Sequence, residues 1–283
     1  MSDIVPARAA PALAPGGALL RLCEKLERLP ANAVGALTFA DADGQAAGSV
    51  LVQSGRVCWA VAAGAPRTLS DRLLGLPGAP RRRTLEEVFQ ACRADGKPLG
   101  EALVDRGLVT RETLRVALRE HTAAAIRAIA GLERMPRWAP RATAYDPEFS
   151  FDPVELLVTA AEAYVAADAL ATAREAVRAH ADVTTSIAAF ACDSDEPGLP
   201  IALAGSVAGV DRLRSLGRWC RAAARMSHAE PGQPAIAVAG REDRSAVVVL
   251  ADRGATIAFS VPGPQQLAVL LGRLRAALAA PVS

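Results

Sequence analysis

Three histidines are the side chains of this 283-residue chain best suited to hold a metal or to transfer a proton. His121, His180 and His228 are far apart, and no two lie within the few residues that a zinc pair on one helix requires. The segment 41–44, Asp-Ala-Asp-Gly, starts like a calcium loop, but the third ligand and the closing glutamate are missing. A hairpin turn explains this segment better, because Asp and Gly favour tight turns.

Two other segments with charged side chains are also better explained as turns. Asp193, Asp195 and Glu196 could bind a hard cation, although a solvated acidic turn before a proline is the favoured interpretation. The pair at 96–97, Gly-Lys, lacks the earlier glycine of a phosphate-binding loop and is followed by proline. A catalytic triad or dyad could be assembled only from long-range contacts that a sequence does not supply. We therefore predict no catalytic residue, no metal and no cofactor, and an enzyme of unrecognised type is an open alternative.

The composition is typical of a globular protein from a reducing compartment. Apolar residues make up 51% of the chain and aromatic residues only 4%, so the cores must be built from aliphatic side chains and alanine. The net charge of +2 gives no electrostatic reason to expect nucleic acid or a membrane surface as a partner. No apolar run is long enough to span a membrane. The cysteines, none of them in a C-x-x-C pair, are Cys23, Cys58, Cys92, Cys192 and Cys220. Their apolar surroundings predict buried free thiols and a cytoplasmic location.

The length predicts two or three domains, and the patterns along the chain divide it into parts. Residues 35–62 alternate between apolar and polar side chains and are broken by two turn signals, Asp-Gly at 43–44 and Ser-Gly at 54–55, which predicts an antiparallel three-stranded meander. The parts that we predict are a disordered tail at 1–16, a meander domain at 17–80 with a return strand within 141–165, a helical bundle at 84–131, and an α+β domain at 166–283.

The meander resembles the PATAN-type domain of bacterial signalling proteins. The positions that match its G-x-L-x-F and G-R-V-x-x-A elements are Gly35, Leu37, Phe39, Gly48, Val50, Gly55, Arg56, Val57 and Ala60. The resemblance implies a protein-interaction module without catalytic residues.

Helix signals dominate residues 84–131. Thr84 followed by Glu87 is a capping-box pattern that predicts a helix start at Thr84. Gly107 should end a short helix, and Thr110 should cap a longer one.

This segment resembles the N-terminal domain of secretion and pilus-assembly ATPases, a domain that can bind cyclic di-GMP. The matching positions are Leu99, Gly100, Leu103, Gly107, Leu114 and Leu118. Pro98 and His121 stand where that pattern has arginine and glutamine, and only one of its two tandem copies is present. The resemblance implies a possible nucleotide site at 97–121, and helix packing is the alternative use of the same residues.

The last third of the chain predicts the order α-β-β-α-β-β-β-α from its apolar spacing. It resembles the Roadblock family, which implies a five-stranded antiparallel sheet with helices on both faces. Such domains homodimerise through the middle helix and the next strand, and they act with small Ras-like GTPases. The helix Val210–Met226 and the open edge of the sheet are therefore the contact surfaces that we predict. The candidate interface residues are Val210, Leu213, Leu216, Trp219 and Cys220.

These observations predict an α+β protein with an N-terminal three- to four-stranded antiparallel meander, a helical bundle and a C-terminal five-stranded antiparallel sheet. The function that we expect is that of a non-catalytic, homodimeric signalling or polarity scaffold in the bacterial cytoplasm. Its partner would be a small Ras-like GTPase or a response regulator. The alternative is a cyclic di-GMP receptor that uses residues 97–121.

Overall fold

The computed structural model of the protein describes residues 15–63, 65, 69–75, 79–95, 99–132, 136–141, 149–191, 199–205, 209–226, 234–240, 246–252 and 255–279. Over these ranges the fold is α+β, with one four-stranded and one five-stranded antiparallel sheet and helices packed on both. The predicted fold class is therefore confirmed. Almost all of the predicted disordered tail, 1–16, lies outside the described residues, and helix α1 (Pro15–Glu27) begins at its end.

The first sheet is the predicted meander with one strand added. Its strands, in the spatial order β3-β2-β1-β4, are β1 (Val34–Ala40), β2 (Ala46–Gln53), β3 (Arg56–Ala62) and β4 (Arg137–Pro140). Both predicted turns are present. At the second turn Ser54 and Gly55 have φ angles of 53° and 73°, a left-handed conformation that fits a tight two-residue hairpin.

The returning strand differs from its prediction. The alternation at Thr143, Tyr145, Phe149 and Phe151 predicted it within 141–165, whereas β4 ends at Pro140 and pairs with β1. All four residues of β4 are exposed, so the strand has no apolar alternation by which it could be recognised. Thr143 and Tyr145 lie outside the described residues. Phe151 pairs instead with Val57 on the opposite edge of the sheet.

Four helices follow the meander. They are α2 (Leu69–Leu74), α3 (Arg82–Asp95), α4 (Leu99–Asp105) and α5 (Arg111–Ala130). The predicted cap at Thr110 is confirmed, because its hydroxyl oxygen accepts a hydrogen bond from the Thr113 N–H at 3.1 Å. The predicted start at Thr84 is wrong. Helix α3 begins at Arg82, and Glu87 receives a hydrogen bond from the Arg83 side chain one turn earlier, at 3.0 Å, which supports the longer helix.

Helix α5 belongs to two cores at once. Leu114 and Ala117 in its first half pack with α2, α3 and α4 in a small apolar cluster. Ile126 and Ile129 in its second half pack in the main core beneath β2 and β3. The predicted helical bundle at 84–131 is thus continuous with the meander through one helix.

The C-terminal part has the predicted order of elements. After α6 (Pro153–Ala161) and a short 3-10 turn (Glu162–Tyr164), the elements are α7 (Ala167–His180), β5 (Ser186–Ala191), β6 (Pro200–Gly205), α8 (Val210–Met226), β7 (Ala235–Gly240), β8 (Ala246–Asp252), β9 (Ala255–Val261) and α9 (Pro264–Ala279). The strands lie in the order β6-β5-β9-β8-β7, and every neighbouring pair is antiparallel.

The register of the second sheet assigns its helices to two faces. The Phe259 ring meets the His180 ring edge-on with centroids 5.5 Å apart, so α7 covers the face that carries Phe259. Helix α9 lies beside α7, because the Arg273 guanidinium donates to the Ala179 carbonyl at 3.3 Å. Helix α8 packs across β9, β8 and β7 on the other face. On this face Ala237, Val249 and Ala258 lie side by side on β7, β8 and β9. The small side chains of the two alanines allow the helix to approach closely.

Candidate protein interface

Strand β7 forms one end of the second sheet, and its outer edge has no strand partner among the described residues. Its sequence, AIAVAG, contains neither a charged residue nor a proline. Its pairing with β8 runs from Ala235 to Gly240 without a bulge. Natural proteins protect edges with charges, prolines, bulges or a covering segment. Because β7 has none of the first three, its outward N–H and C=O groups are well placed to pair with another strand.

The other sheet edges of the described fold each carry a protection. β4 begins with Arg137 and ends with Pro140. β6 begins with Pro200, has a register shift against β5 and contacts both α6 and α7. On β3, the Val57 N–H donates to the Phe151 carbonyl at 2.9 Å, and the Phe151 N–H donates to the Val57 carbonyl at 2.8 Å. By comparison, β7 is the most open edge in the part of the chain that the structure describes.

Helix α8 contacts β7 and exposes polar and aromatic side chains to solvent. Trp219 is 37% exposed, and Arg212 and Arg218 are exposed near it on the same helix. On the strand, Val238 is 49% exposed and, by its register with Val248 and Phe259, lies on the sheet face opposite α8. Tryptophan and arginine are over-represented among the residues that dominate binding energy at protein interfaces. We use the term α8–β7 surface for these side chains of α8 together with the outer edge of β7.

The interface residues predicted on α8 are mostly not on this surface. Val210, Leu213 and Cys220 are fully buried in the main core, and Leu216 packs partly buried against it. Trp219 alone among the five predicted residues is exposed. The hypothesis that Val210, Leu213 and Cys220 contact a partner is therefore corrected. They form the apolar side of α8 that covers the sheet, and the spacing of such a side is the same whether a sheet or a partner lies against it.

Helix α8 is held in place by helix α1 through several polar contacts. The Glu27 carboxylate accepts hydrogen bonds from the Val210 N–H at 2.9 and 3.1 Å, at the first turn of α8. The Arg214 guanidinium donates to Glu24 at 2.9 Å, and the Glu24 side chain is only 8% exposed. A carboxylate at a helix N-terminus satisfies free N–H groups and interacts favourably with the helix dipole. These contacts fix the position of the α8–β7 surface relative to the first sheet.

The described cysteines are buried free thiols, as predicted, and Cys192 lies outside the described residues. Burial raises the pKa of the Cys23 thiol far above its usual range, and the nearby carboxylates of Glu27 and Glu24 raise it further. Burial also raises the pKa of Cys58, although Arg56 opposes the shift. Thiols with raised pKa values are poor nucleophiles, so these cysteines contribute packing rather than reactivity.

The predicted nucleotide-site residues at 97–121 are used mainly in helix packing. Leu103 and Leu114 are fully buried in the small cluster, and Leu99 and Leu118 pack against it. A Cβ at Gly100 would lie 3.0 Å from the Leu114 side chain, so glycine allows α4 and α5 to approach closely. The apolar part of the predicted motif is therefore explained by the fold.

The two remaining residues of that set also have structural roles. Gly107 has a φ angle of 65° and follows the end of α4, as the sequence predicted. The His121 ring stacks on Trp59 of β3 with centroids 4.5 Å apart and an angle of 30° between the rings. His121 is only 7% exposed, so it joins α5 to the first sheet.

Within the described ranges, no three His, Cys, Asp or Glu side chains gather closely enough to hold a metal ion. Among the helices that the structure describes, none has both the length and the apolar character needed to cross a bilayer. Neither a protein-family model nor a curated protein matches this chain. The PATAN, secretion-ATPase and Roadblock resemblances therefore stay predictions.

Proposed function

We propose that this protein is a non-catalytic signalling or polarity scaffold of the bacterial cytoplasm that works by binding proteins, including a second copy of itself. The observation that carries the proposal is the outer edge of β7, which has no strand partner among the described residues and carries no charge, proline or bulge. Antiparallel pairing of two β7 strands about a twofold axis is self-complementary, because the same edge serves both copies. It would join the two five-stranded sheets into one.

The exposed side of α8 supports a second contact, with a partner of a different kind. Arg212 and Arg218 are exposed on this helix near Trp219, which suits a partner with an acidic surface. In line with the Roadblock resemblance, we propose a small Ras-like GTPase or a response regulator. The packing roles of His121 and His180 on neighbouring aromatic rings support a non-catalytic role.

Sedimentation equilibrium of the wild-type protein and of Val238→Lys tests the dimer. We expect the wild type to show about twice the 29.3 kDa mass of one chain. Val238 lies near the middle of β7 and is 49% exposed, so lysine should be tolerated by the single chain. In the dimer, two lysines near the twofold axis would repel each other. We therefore expect the dissociation constant of the dimer to rise at least about 10-fold, which corresponds to about 1.4 kcal/mol of binding free energy.

The matched control is Val61→Lys, which puts the same charge on a valine that is 40% exposed in the other sheet. This variant should remain a dimer. A wild type that stays monomeric at about 100 μM would contradict the proposal, because it would place the dissociation constant above that concentration. Equal dissociation of the two variants would also contradict it, since the effect would then not belong to β7.

A further inference from the structure

A cleft of about 380 Å³ lies between helix α5 on one side and helix α7 with the 3-10 turn on the other. Four arginines line it: Arg72 from α2, Arg119 and Arg127 from α5, and Arg174 from α7. The acidic residues in its lining are Glu120 and Glu162, so the lining carries a net charge of +2. The whole chain has the same net charge spread over 283 residues, and the cleft is therefore a local concentration of positive charge.

The ion pairs within the cleft leave part of this charge unbalanced. Arg72 pairs with Glu120 at 3.3 Å, and Arg174 pairs with Glu162 at 2.6 Å. Arg119 pairs at 3.6 Å with Glu155, which lies outside the lining. These contacts hold three guanidinium groups in place. Arg127 has no ion-pair partner among the described residues, although it lines the same cleft. Its charge is the one that an incoming anion would meet uncompensated.

Two buried hydrogen-bond donors in the cleft residues also lack an acceptor. The Nε atoms of Arg72 and Arg119 are buried, and neither has a hydrogen-bond partner in the described fold. The Arg72 side chain is only 15% exposed, so bulk water does not readily take the place of an acceptor. A buried N–H without a partner costs free energy, and an acceptor in the cleft that either Nε reached through a shift of its side chain would recover that cost.

We infer that this cleft binds a small molecule that carries two negative charges on oxyanion groups, either a phosphate or a pair of carboxylates. Guanidinium groups recognise both chemistries by paired N–H···O hydrogen bonds. The volume is in the range of small-molecule sites rather than of a single ion. Ala123 and Leu170 provide an apolar part of the wall, which suits an uncharged portion of the ligand.

The position of the cleft gives such a ligand a structural consequence. Helix α5 packs on the first sheet, and helix α7 packs on the second. A bound dianion would therefore contact arginines attached to both sheets and would strengthen the contact between them. This site is separate from the α8–β7 surface, and it does not depend on the proposed dimer.

Isothermal titration calorimetry with the full-length protein tests the inference, with pyrophosphate and succinate as separate probes at about 50 mM salt. We expect at least one probe to bind the wild type with a dissociation constant below about 1 mM. Arg127→Gln should weaken that binding at least about 10-fold, and Arg127→Lys should weaken it less, because lysine keeps the charge but not the planar fork. The control Arg218→Gln removes an exposed arginine of α8 and should change the affinity by less than about 2-fold.

The two probes separate the possible sources of the anion. Binding of pyrophosphate alone supports a phosphate ligand, and binding of succinate alone supports a dicarboxylate. No saturable binding of either probe up to about 10 mM overturns the inference. It is also overturned if Arg127→Gln binds as the wild type does, or if Arg218→Gln loses as much affinity. Circular dichroism checks that each variant is folded. If Arg127→Gln does not fold, the affinity of Arg127→Lys is compared with that of the wild type instead, and an unchanged affinity overturns the inference.

Discussion

The carboxylate of Glu27 accepts hydrogen bonds from the backbone N–H of Val210, a residue 183 positions later in the chain. This contact caps α8 with a side chain from α1, instead of with a residue of the helix's own first turn. The loop residue Gly209 has a φ angle of 77°, and a Cβ there would lie 3.0 Å from the Glu27 carboxylate. The cap therefore requires both the distant carboxylate and the glycine before the helix.

Glu27→Ala should lower the free energy of unfolding by about 1–2 kcal/mol, because the first turn of α8 loses its hydrogen-bond acceptor and a favourable interaction with the helix dipole. Urea titration followed by circular dichroism measures the change. The control Glu175→Ala removes an exposed glutamate of α7 and should change stability by less than about 0.5 kcal/mol. Equal effects in the two variants would show that the cap contributes little.

Leu213→Ala should destabilise the protein by about 2–5 kcal/mol, because Leu213 is fully buried between α8 and the sheet. Leu213→Glu should destabilise the protein more than Leu213→Ala does, since it buries a carboxylate among apolar side chains. The expected result is a large loss of thermal stability in each variant. A stable, well-folded Leu213→Glu monomer would instead mean that this side chain belongs to a dimer interface.

Gly35→Ala should detach β4 from β1. A Cβ at Gly35 would lie 2.5 Å from the Trp138 ring and 2.6 Å from the Ala139 carbonyl oxygen, and neither distance is compatible with the paired strands. We expect the free energy of unfolding to fall by about 1–3 kcal/mol, and the tryptophan fluorescence to become that of a more solvent-exposed side chain. Gly272→Ala is the control, because nothing lies within 4 Å of its Cβ position on α9 and alanine favours helix. That change should leave stability equal or raise it by up to about 1 kcal/mol.

The stability of the protein should depend on pH through His180. Burial lowers the pKa of His180 in the folded state, Arg273 lowers it further, and Asp182 opposes the shift. The unfolded chain therefore binds a proton at higher pH than the folded protein does. The stabilising contribution of the neutral imidazole should be complete above the ordinary value of 6.5 and should be lost as the pH falls below it, until the folded-state pKa is reached.

Urea midpoints of the wild type and of His180→Gln between pH 8 and pH 5 check this prediction. The midpoint of the wild type should fall with decreasing pH more steeply than that of the variant. Comparing the slopes separates titration from packing, because the variant also loses the contact between the His180 and Phe259 rings. Parallel curves would show that His180 does not contribute to the pH dependence.

The sequence was most informative where a local signal had no competitor. The turn at Ser54 and Gly55, the cap at Thr110 and the order of elements in the last third are all present in the structure. In each case the conformation depends on residues close in sequence, and the apolar period agrees with the turn chemistry. At Thr84 two local signals competed, and the pair between Arg83 and Glu87 accompanies the earlier helix start.

The candidate sites were harder to predict, because they depend on distant residues. The spacing of Leu213 and Cys220 on α8 indicates an apolar side but does not say what covers it. The arginines of the cleft come from three helices, and only the spacing of Arg119 and Arg127 on α5 places two of them on one side of a helix. The contact between Glu27 and Val210 has no sequence signal, because nothing local to α1 indicates that its carboxylate caps a later helix.

The contact between α1 and α8 also bears on the order of events during synthesis at the ribosome. Helix α1 is translated before α8, and about 180 further residues must be added to the chain before α8 can form. At translation rates of about 5–20 residues per second, this delay is on the order of 10–40 seconds. During that time helices α5 and α6 can already pack on the apolar side of α1, whereas the carboxylates of Glu24 and Glu27 lack their partners on α8 until that helix is made, so the nascent chain should acquire a covered core before this polar contact locks α1 to the second sheet.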